Sequence, residues 1–250
     1  MVADTGTEPA RATLRDRVVL AAAALLEEEG LDALSTRAIA LRAEVPHPTI
    51  FRLFGDKEGL LEAVGEHGFE TYLRHKSLLP GTGDPVEDLR AAWDLQIRFG
   101  LGQPAYYTLV YARARPGRLP PAGRRAVTEL QRMIARVAAA GRLRMSVERA
   151  TAVLHAAGVG TILTMISTPA ESRDLETADA TRDLVIASIT APAAAHPTHL
   201  RQEEHDDTAT TAMALRAALA RRDTSALSAA EKALLTDWLN RLADAKPASG

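Results

Sequence analysis

Two groups of side chains in this sequence have the types and spacing to act on a partner. Thr36 and Arg37, then His47, Pro48 and Thr49, then Phe51, Arg52 and Lys57 interleave hydroxyl, imidazole and cationic groups with rings in one short stretch. Hydroxyls and cations bond phosphate oxygens, and arginine reads guanine edges, so the chemistry suggested is recognition of nucleic acid. Further along, Trp93, Gln96, Phe99, Tyr107 and Tyr111 gather rings around a polar handle, as a pocket for an apolar or aromatic small molecule requires. Simple core packing is the alternative for these rings, because large rings dominate any helical core. Asp94 is a second polar candidate, but it lies about 100° around a helix from Trp93, whereas Gln96 shares the face of Trp93 and Phe99. A third cluster, His196, His199, Glu203, Glu204, His205, Asp206 and Asp207, holds metal-ligand types at a spacing that matches no metal motif. Cysteine is absent, as are a Gly-x-Ser-x-Gly elbow, a phosphate loop ending in Lys-Ser/Thr and a His-Glu-x-x-His pair. Catalysis, metal ions and cofactors therefore have no support, and no enzyme is expected.

The elements that must position these groups are helices. Aromatics make up 4% of the chain, alanine is the common filler, and runs of β-branched residues are scarce, so an all-α fold is expected. Leu14, Val18, Ala22 and Leu25 share one face of a first helix that Gly30 closes. Ser35 is an N-cap for a short second helix from Thr36 to Ala43. Pro48 opens a third over Thr49–Phe54, and Asp56 caps a long fourth that starts at Lys57. Proline and glycine punctuation then marks helices at 85–100, 104–113, 120–140, 146–167 and 176–191. A polar linker is expected over 192–207, followed by helices at 208–222 and 229–244, the last with a capping box from Ser228 to Glu231.

Hydrophobic residues at 46% and charged ones at 25% of 250 suit a globular chain, and the formal net charge of −2 gives no bulk signal for an anionic partner. Residues 1–65 carry more acids than bases, so DNA affinity would rest on a few placed cations and on dimerisation. The longest apolar run, Ala152 to Ile166, is broken by His155 and Thr164 and is too short to span a bilayer. The N-terminal stretch lacks the apolar core of a signal peptide, and the expected location is cytoplasmic.

Two short helices around a four-residue turn, behind a longer support helix, have helix-turn-helix spacing. Residues 14–64, with the motif at about 35–54, resemble the DNA-binding domain of the tetracycline-repressor (TetR) family. The likeness runs through Leu25-Leu26, Gly30, Leu34 to Ala40, Ala43, Val45, Pro48 to Phe51, Phe54, Asp56-Lys57-Glu58 and Leu60-Leu61. It implies that Arg37, His47, Pro48 and Thr49 face bases, while Thr36, Phe51, Leu53 and Lys57 face the backbone. Three positions depart from the pattern. Glu44 stands where the family turn has glycine, Phe51 where tyrosine is usual and Leu53 where histidine is common, which removes two phosphate contacts that Arg52 is placed to replace.

The resemblance further implies a flexible arm at 1–13, a helical ligand-binding and dimerisation domain at 65–191, and a homodimer built on its last two helices. Val153, Gly158, Gly160 and Ile162 are the candidates for that interface, with glycines marking a close approach. Tight packing within one chain is the alternative for them. The function expected is a ligand-responsive regulator, a repressor on a palindromic operator, released by an apolar or aromatic effector. Its rival is a helical small-molecule-binding protein or enzyme that keeps the fold without reading DNA.

Overall fold

The computed structural model describes residues 7–79, 81–113, 117–192, 204–221 and 227–245. The regular elements among the described residues are helices, and an isolated bridge joins Leu143 and Thr190. In order, α1 is Thr7–Glu29, α2 Thr36–Arg42, α3 His47–Phe54, α4 Lys57–Ser77, α5 Pro85–Gly102 and α6 Pro104–Tyr111. Then come α7 Pro121–Ala139, α8 Val147–Ser167, α9 Leu175–Ile189, α10 Glu204–Arg221 and α11 Ala229–Asp244. Prolines open α5, α6 and α7, where the missing N–H removes no helical bond.

The first helix begins at Thr7, so the later part of the expected arm is helical; residues 1–6 lie outside the described residues. The third helix starts at His47, two residues before the sequence places it, with Pro46 at its N-cap. Of the expected 192–207 linker, residues 193–203 lie outside the described residues, and α10 already runs from Glu204. The cluster from His196 to Glu203 falls in that gap. Ser228 and Glu231 form the expected capping box of α11.

Two compact units result, and their border differs from a cut at residue 65. The first takes the chain up to His75 together with Arg98–Ala126; the second takes Lys76–Ile97 and the chain from Val127 onward. In the first unit, Val18, Ala22 and Leu26 of α1 pack with Leu34, Ile39 and Ile50, all nearly inaccessible to solvent. In the second, α8 packs on α9, and α10 pairs with α11. The apolar run at Ala152 is part of a longer element than it suggests. By length and composition alone the 21-residue α8 is apolar enough to cross a membrane, but a third of that apolar window is buried within the fold.

Candidate functional site

The turn between α2 and α3 is built by backbone hydrogen bonds. Val45 N–H bonds the Ala40 carbonyl at 3.0 Å and Glu44 N–H that of Leu41 at 3.1 Å, the pair that defines a Schellman closure. The residue between helix end and exit must then take a left-handed backbone, and Glu44 does so with φ 53, the only described residue other than glycine with positive φ. The departure from glycine is thus accommodated as strain of about 1 kcal/mol rather than by a different turn. After α3, Gly55 turns the chain at φ 82, and the Asp56 carboxylate accepts from Gly59 N–H at 2.7 Å to cap α4. Gly59 itself is required there, since a Cβ would sit 2.2 Å from the Phe54 carbonyl oxygen.

This frame sorts the expected DNA contacts. Arg37 on α2, Pro48, Phe51 and Arg52 on α3, and Lys57 at the start of α4 are exposed. Neither Arg37 nor Lys57 has an ion-pair partner among the described residues. Thr49 is a correction: it is only 9% exposed, because α3 buries Thr49 and Ile50 together. It supports the helix from within and keeps only a small part of its surface toward solvent. His47 also differs from expectation. Its Nε2 lies 2.9 Å from Thr36 Oγ1, and its ring meets the Phe51 ring edge to face at 5.2 Å. Only the Nδ1 edge of His47 is left for a partner. The Thr36 hydroxyl links the starts of the two helices instead of standing alone. Sequence reading missed Leu41, which is 81% exposed on α2 one turn beyond Arg37. Helical phase gives the signal, since Ile39 and Ala43 point inward and Leu41 must point away. It also missed Arg15, whose guanidinium lies over the Phe54 ring.

The expected aromatic wall separates into two groups. In the first unit Phe99, Tyr107 and Tyr111 pack with Phe69 and Tyr72 of α4; Tyr72 stacks on Phe99 at 4.6 Å, and Phe69 meets Phe99 at 4.7 Å. Burial pushes the Tyr72 and Tyr111 hydroxyls above their ordinary pKa. Beside this cluster, Tyr106 donates to Glu27 of α1 at 2.7 Å, tying α6 to α1. The ring fits because α4 has glycine at 68: a Cβ there would lie 2.1 Å from it.

Trp93 and Gln96 belong to the second unit, where both contact α8 at Gly158. A Cβ on that glycine would meet the Gln96 amide at 3.4 Å and Trp93 at 3.5 Å. Trp93 is 3% exposed, and its indole N–H has no hydrogen-bond partner among the described residues. One turn before Gly158 lies His155, and the buried Lys76, at the end of α4, is close enough to lower its pKa further below that which burial alone gives. Burial lowers the Lys76 ammonium to about 8, against a weaker pull from Glu129. Lys76 and His155 were not singled out in the sequence. Asp94 instead pairs with Arg182 of α9 at 2.8 Å. The glycine reading is corrected in part. Gly158 and Ile162 are buried inside their own unit, whereas Gly160 is exposed with nothing within 4 Å of a Cβ and Val153 is half-exposed. A separate cavity of about 300 Å³ lies along α7 and α10, lined by Ala135, Ala138, Met213 and Ala217.

Residues 18–64 match the family model described as bacterial regulatory proteins, tetR family. This segment of the chain is a TetR-family domain. The helix-turn-helix described above is therefore a TetR-type DNA-binding domain, and the family is one of transcription regulators, not enzymes. No curated protein matches the chain. Solved structures extend the likeness in fold. A transcriptional regulator of the TetR/AcrR family from Thermobifida fusca YX-ER1 is 25% identical, with TM-score 0.50, 69% of this chain and 96% of that one covered. RolR in complex with resorcinol is 18% identical at TM-score 0.59, covering 74% and 91%. A TetR variant from Acinetobacter baumannii AYE in complex with minocycline is 24% identical at TM-score 0.52, covering 75% and 96%. Roughly a quarter or more of this TetR-type chain thus has no counterpart in these structures.

Proposed function

We propose that this TetR-family regulator is a repressor that binds a palindromic operator as a homodimer in the cytoplasm and releases it when a small organic molecule binds. The observation that carries the reading is the exposed face formed by Arg37, Pro48, Phe51, Arg52 and Lys57 around a closed helix-turn-helix. Arg37 is the base reader and Lys57 the phosphate clamp, with Arg52 beside the Phe51 ring. His47 contributes through Nδ1, its other nitrogen being held by Thr36.

Support for the homodimer comes from α8 and α9. Ala152, Ala156 and Gly160 are exposed and Val153, Val159 and Leu163 half-exposed, an apolar face with small residues that lets a second helix come close. Leu184 on α9, 73% exposed, extends it. The relatives' resorcinol and minocycline favour a small organic effector here too. Tyr106 supplies a route for the signal, because a shift of α6 would pull on α1 through Glu27. Effector binding need only favour a spacing of recognition helices that no longer fits two half-sites.

A mobility-shift titration on the DNA upstream of the coding sequence tests the reading, with sedimentation of the same samples. Expected are a shifted complex competed poorly by random DNA and a dimer at micromolar concentration. Equal competition by random DNA, or a monomer, would overturn it. Tyr106→Phe keeps the ring and removes the Glu27 bond, so it should retain the complex but blunt release by effector.

A further inference from the structure

The outward face of the recognition helix α3 is apolar at its centre. Thr49 and Ile50 turn inward, Leu53 and Phe54 are half-buried, and Pro48, Phe51 and Arg52 are exposed, with His47 half-buried beside them. At about 100° per residue the outward arc runs from His47 through Phe51 and Pro48 to Arg52. The two apolar side chains, about 60° apart, thus hold its middle, and the imidazole and guanidinium its margins. Phe51 keeps 44% of its surface in solvent. Its ring is also pinned: it meets the His47 ring at right angles, centroids 5.2 Å apart, and His47 is itself held by Thr36 at 2.9 Å. A helix-turn-helix sets this face against the major groove. The Phe51 side chain carries no hydroxyl and Pro48 no N–H, so neither can bond a phosphate oxygen or the polar edge of a base. An apolar ring strips water from whatever groove atoms it covers and gives nothing in return, and the C5 methyl of thymine is the apolar group that the groove presents.

We propose that Phe51 is a specificity-determining residue that selects thymine: its ring packs on the C5 methyl of one T·A pair in each half-site, with Pro48 as the second wall of the contact. The inference rests on the reading of this chain as an operator-binding regulator and assigns one position of the operator by its chemistry. The family likeness puts Phe51 on the DNA backbone, where a ring without a hydroxyl has nothing to offer a phosphate. A G·C pair at the same position would set polar edge atoms under the ring and leave them unbonded, so the contact rejects G·C as well as favouring T·A. Arg37 supplies polar readout from α2, and Phe51 adds an apolar one from α3.

The test starts from a random duplex library, from which the full-length protein enriches its own site. Each thymine of that site is then replaced by uracil, one at a time, which deletes the methyl group and keeps the base pair. One thymine per half-site should stand out, with binding about three- to fivefold weaker when its methyl is lost and about tenfold or more weaker when both half-sites lose it, as burial of one methyl in each half-site implies. Phe51→Ala should bind the thymine and uracil duplexes within about 1.5-fold of each other, while its affinity for random DNA and its salt slope stay those of the unmodified protein. Pro48→Ala should shrink the difference without abolishing it. The uracil scan of the unmodified protein stands whether or not either variant folds. An enriched site with no methyl-sensitive thymine, a methyl effect that survives in Phe51→Ala, or an equal loss on specific and random DNA, which would place the ring on the sugar–phosphate backbone, would each overturn the proposal and leave the regulator standing. Failure to enrich any site would overturn the regulator reading itself, and this contact with it.

Discussion

The two units place their polar chemistry on opposite sides of their own surfaces. In the first, Arg37, Arg52 and Lys57 stand in solvent on a scaffold whose interior is almost wholly apolar. In the second, Lys76 and the Trp93 N–H are turned inward and His155 is half-buried. A solvated cation costs little to maintain and suits a partner large enough to cover it, as DNA does. A buried cation imposes a cost on the fold that the groups packed around it must offset. Exposure alone thus separates charge offered to a partner from charge held by the fold.

The contrast breaks most severely where the outward scaffold has no room. Gly59→Ala drives a methyl group into the Phe54 carbonyl, and the expected loss is about 3 kcal/mol with displacement of Lys57, read by urea unfolding and by DNA affinity. Unchanged stability would mean that the α3–α4 corner is not formed as described.

The inward side responds next. Folding lowers the Lys76 pKa from 10.5 to about 8, so the unfolded chain holds a proton that the folded chain has lost between those values. Stability therefore rises with pH across that window, and the penalty is fully present below about 8. The neighbouring His155, whose pKa burial and the Lys76 charge push below its ordinary value, does not change charge in the window. Lys76→Met should add about 2–3 kcal/mol at neutral pH and flatten the rise, as thermal unfolding between neutral and alkaline pH would reveal. Retention of the rise would show that Lys76 is not its source.

At the DNA face, Arg37→Ala should cost about 1–3 kcal/mol on operator and relax one base position, while Lys57→Ala weakens every sequence and lowers the salt slope by about one. Equal losses on specific and random DNA for Arg37→Ala would place it on the backbone instead. The smallest effect is expected from Glu44→Gly, which relieves the left-handed turn and should raise stability by about 0.5–1 kcal/mol, visible as a higher Tm with unchanged DNA binding.

How much of this was legible in the sequence depended on the range over which each signal acts. Caps, proline starts and glycine closures are local, and they placed α2, α4 to α7 and α11 closely, with the Ser228–Glu231 box as drawn. The family pattern carried the motif but not the orientation of its members. Thr49 went inward because the buried side of α3 takes two consecutive residues, and His47 was captured by Thr36, eleven residues earlier. The aromatic cluster was only partly legible, for a long-range reason. Phe69 and Tyr72 on α4 complete the Phe99–Tyr107–Tyr111 cluster from a different helix, beyond the reach of any local pattern. Lys76 looks like an ordinary solvated residue until packing buries it. Gly158 and Gly160, two residues apart, fell on opposite sides of α8, so a single reading could not serve both.

The N-terminus of α8 is completed by the far end of α11. Ser146 caps the helix, and the Asp244 carboxylate accepts from both its N–H, at 2.9 Å, and its hydroxyl, at 2.7 Å, across 98 residues of sequence. Arg216 adds a two-pronged grip on Glu148 in the same turn. During synthesis, then, α8 leaves the ribosome long before the residue that fastens its start exists. Its apolar flank must wait through the making of α9, α10 and α11, with ring closure over a long loop as the final step. The nascent chain carries its stickiest helix unfastened for longest, and a pause late in translation would prolong that exposure more than an early one.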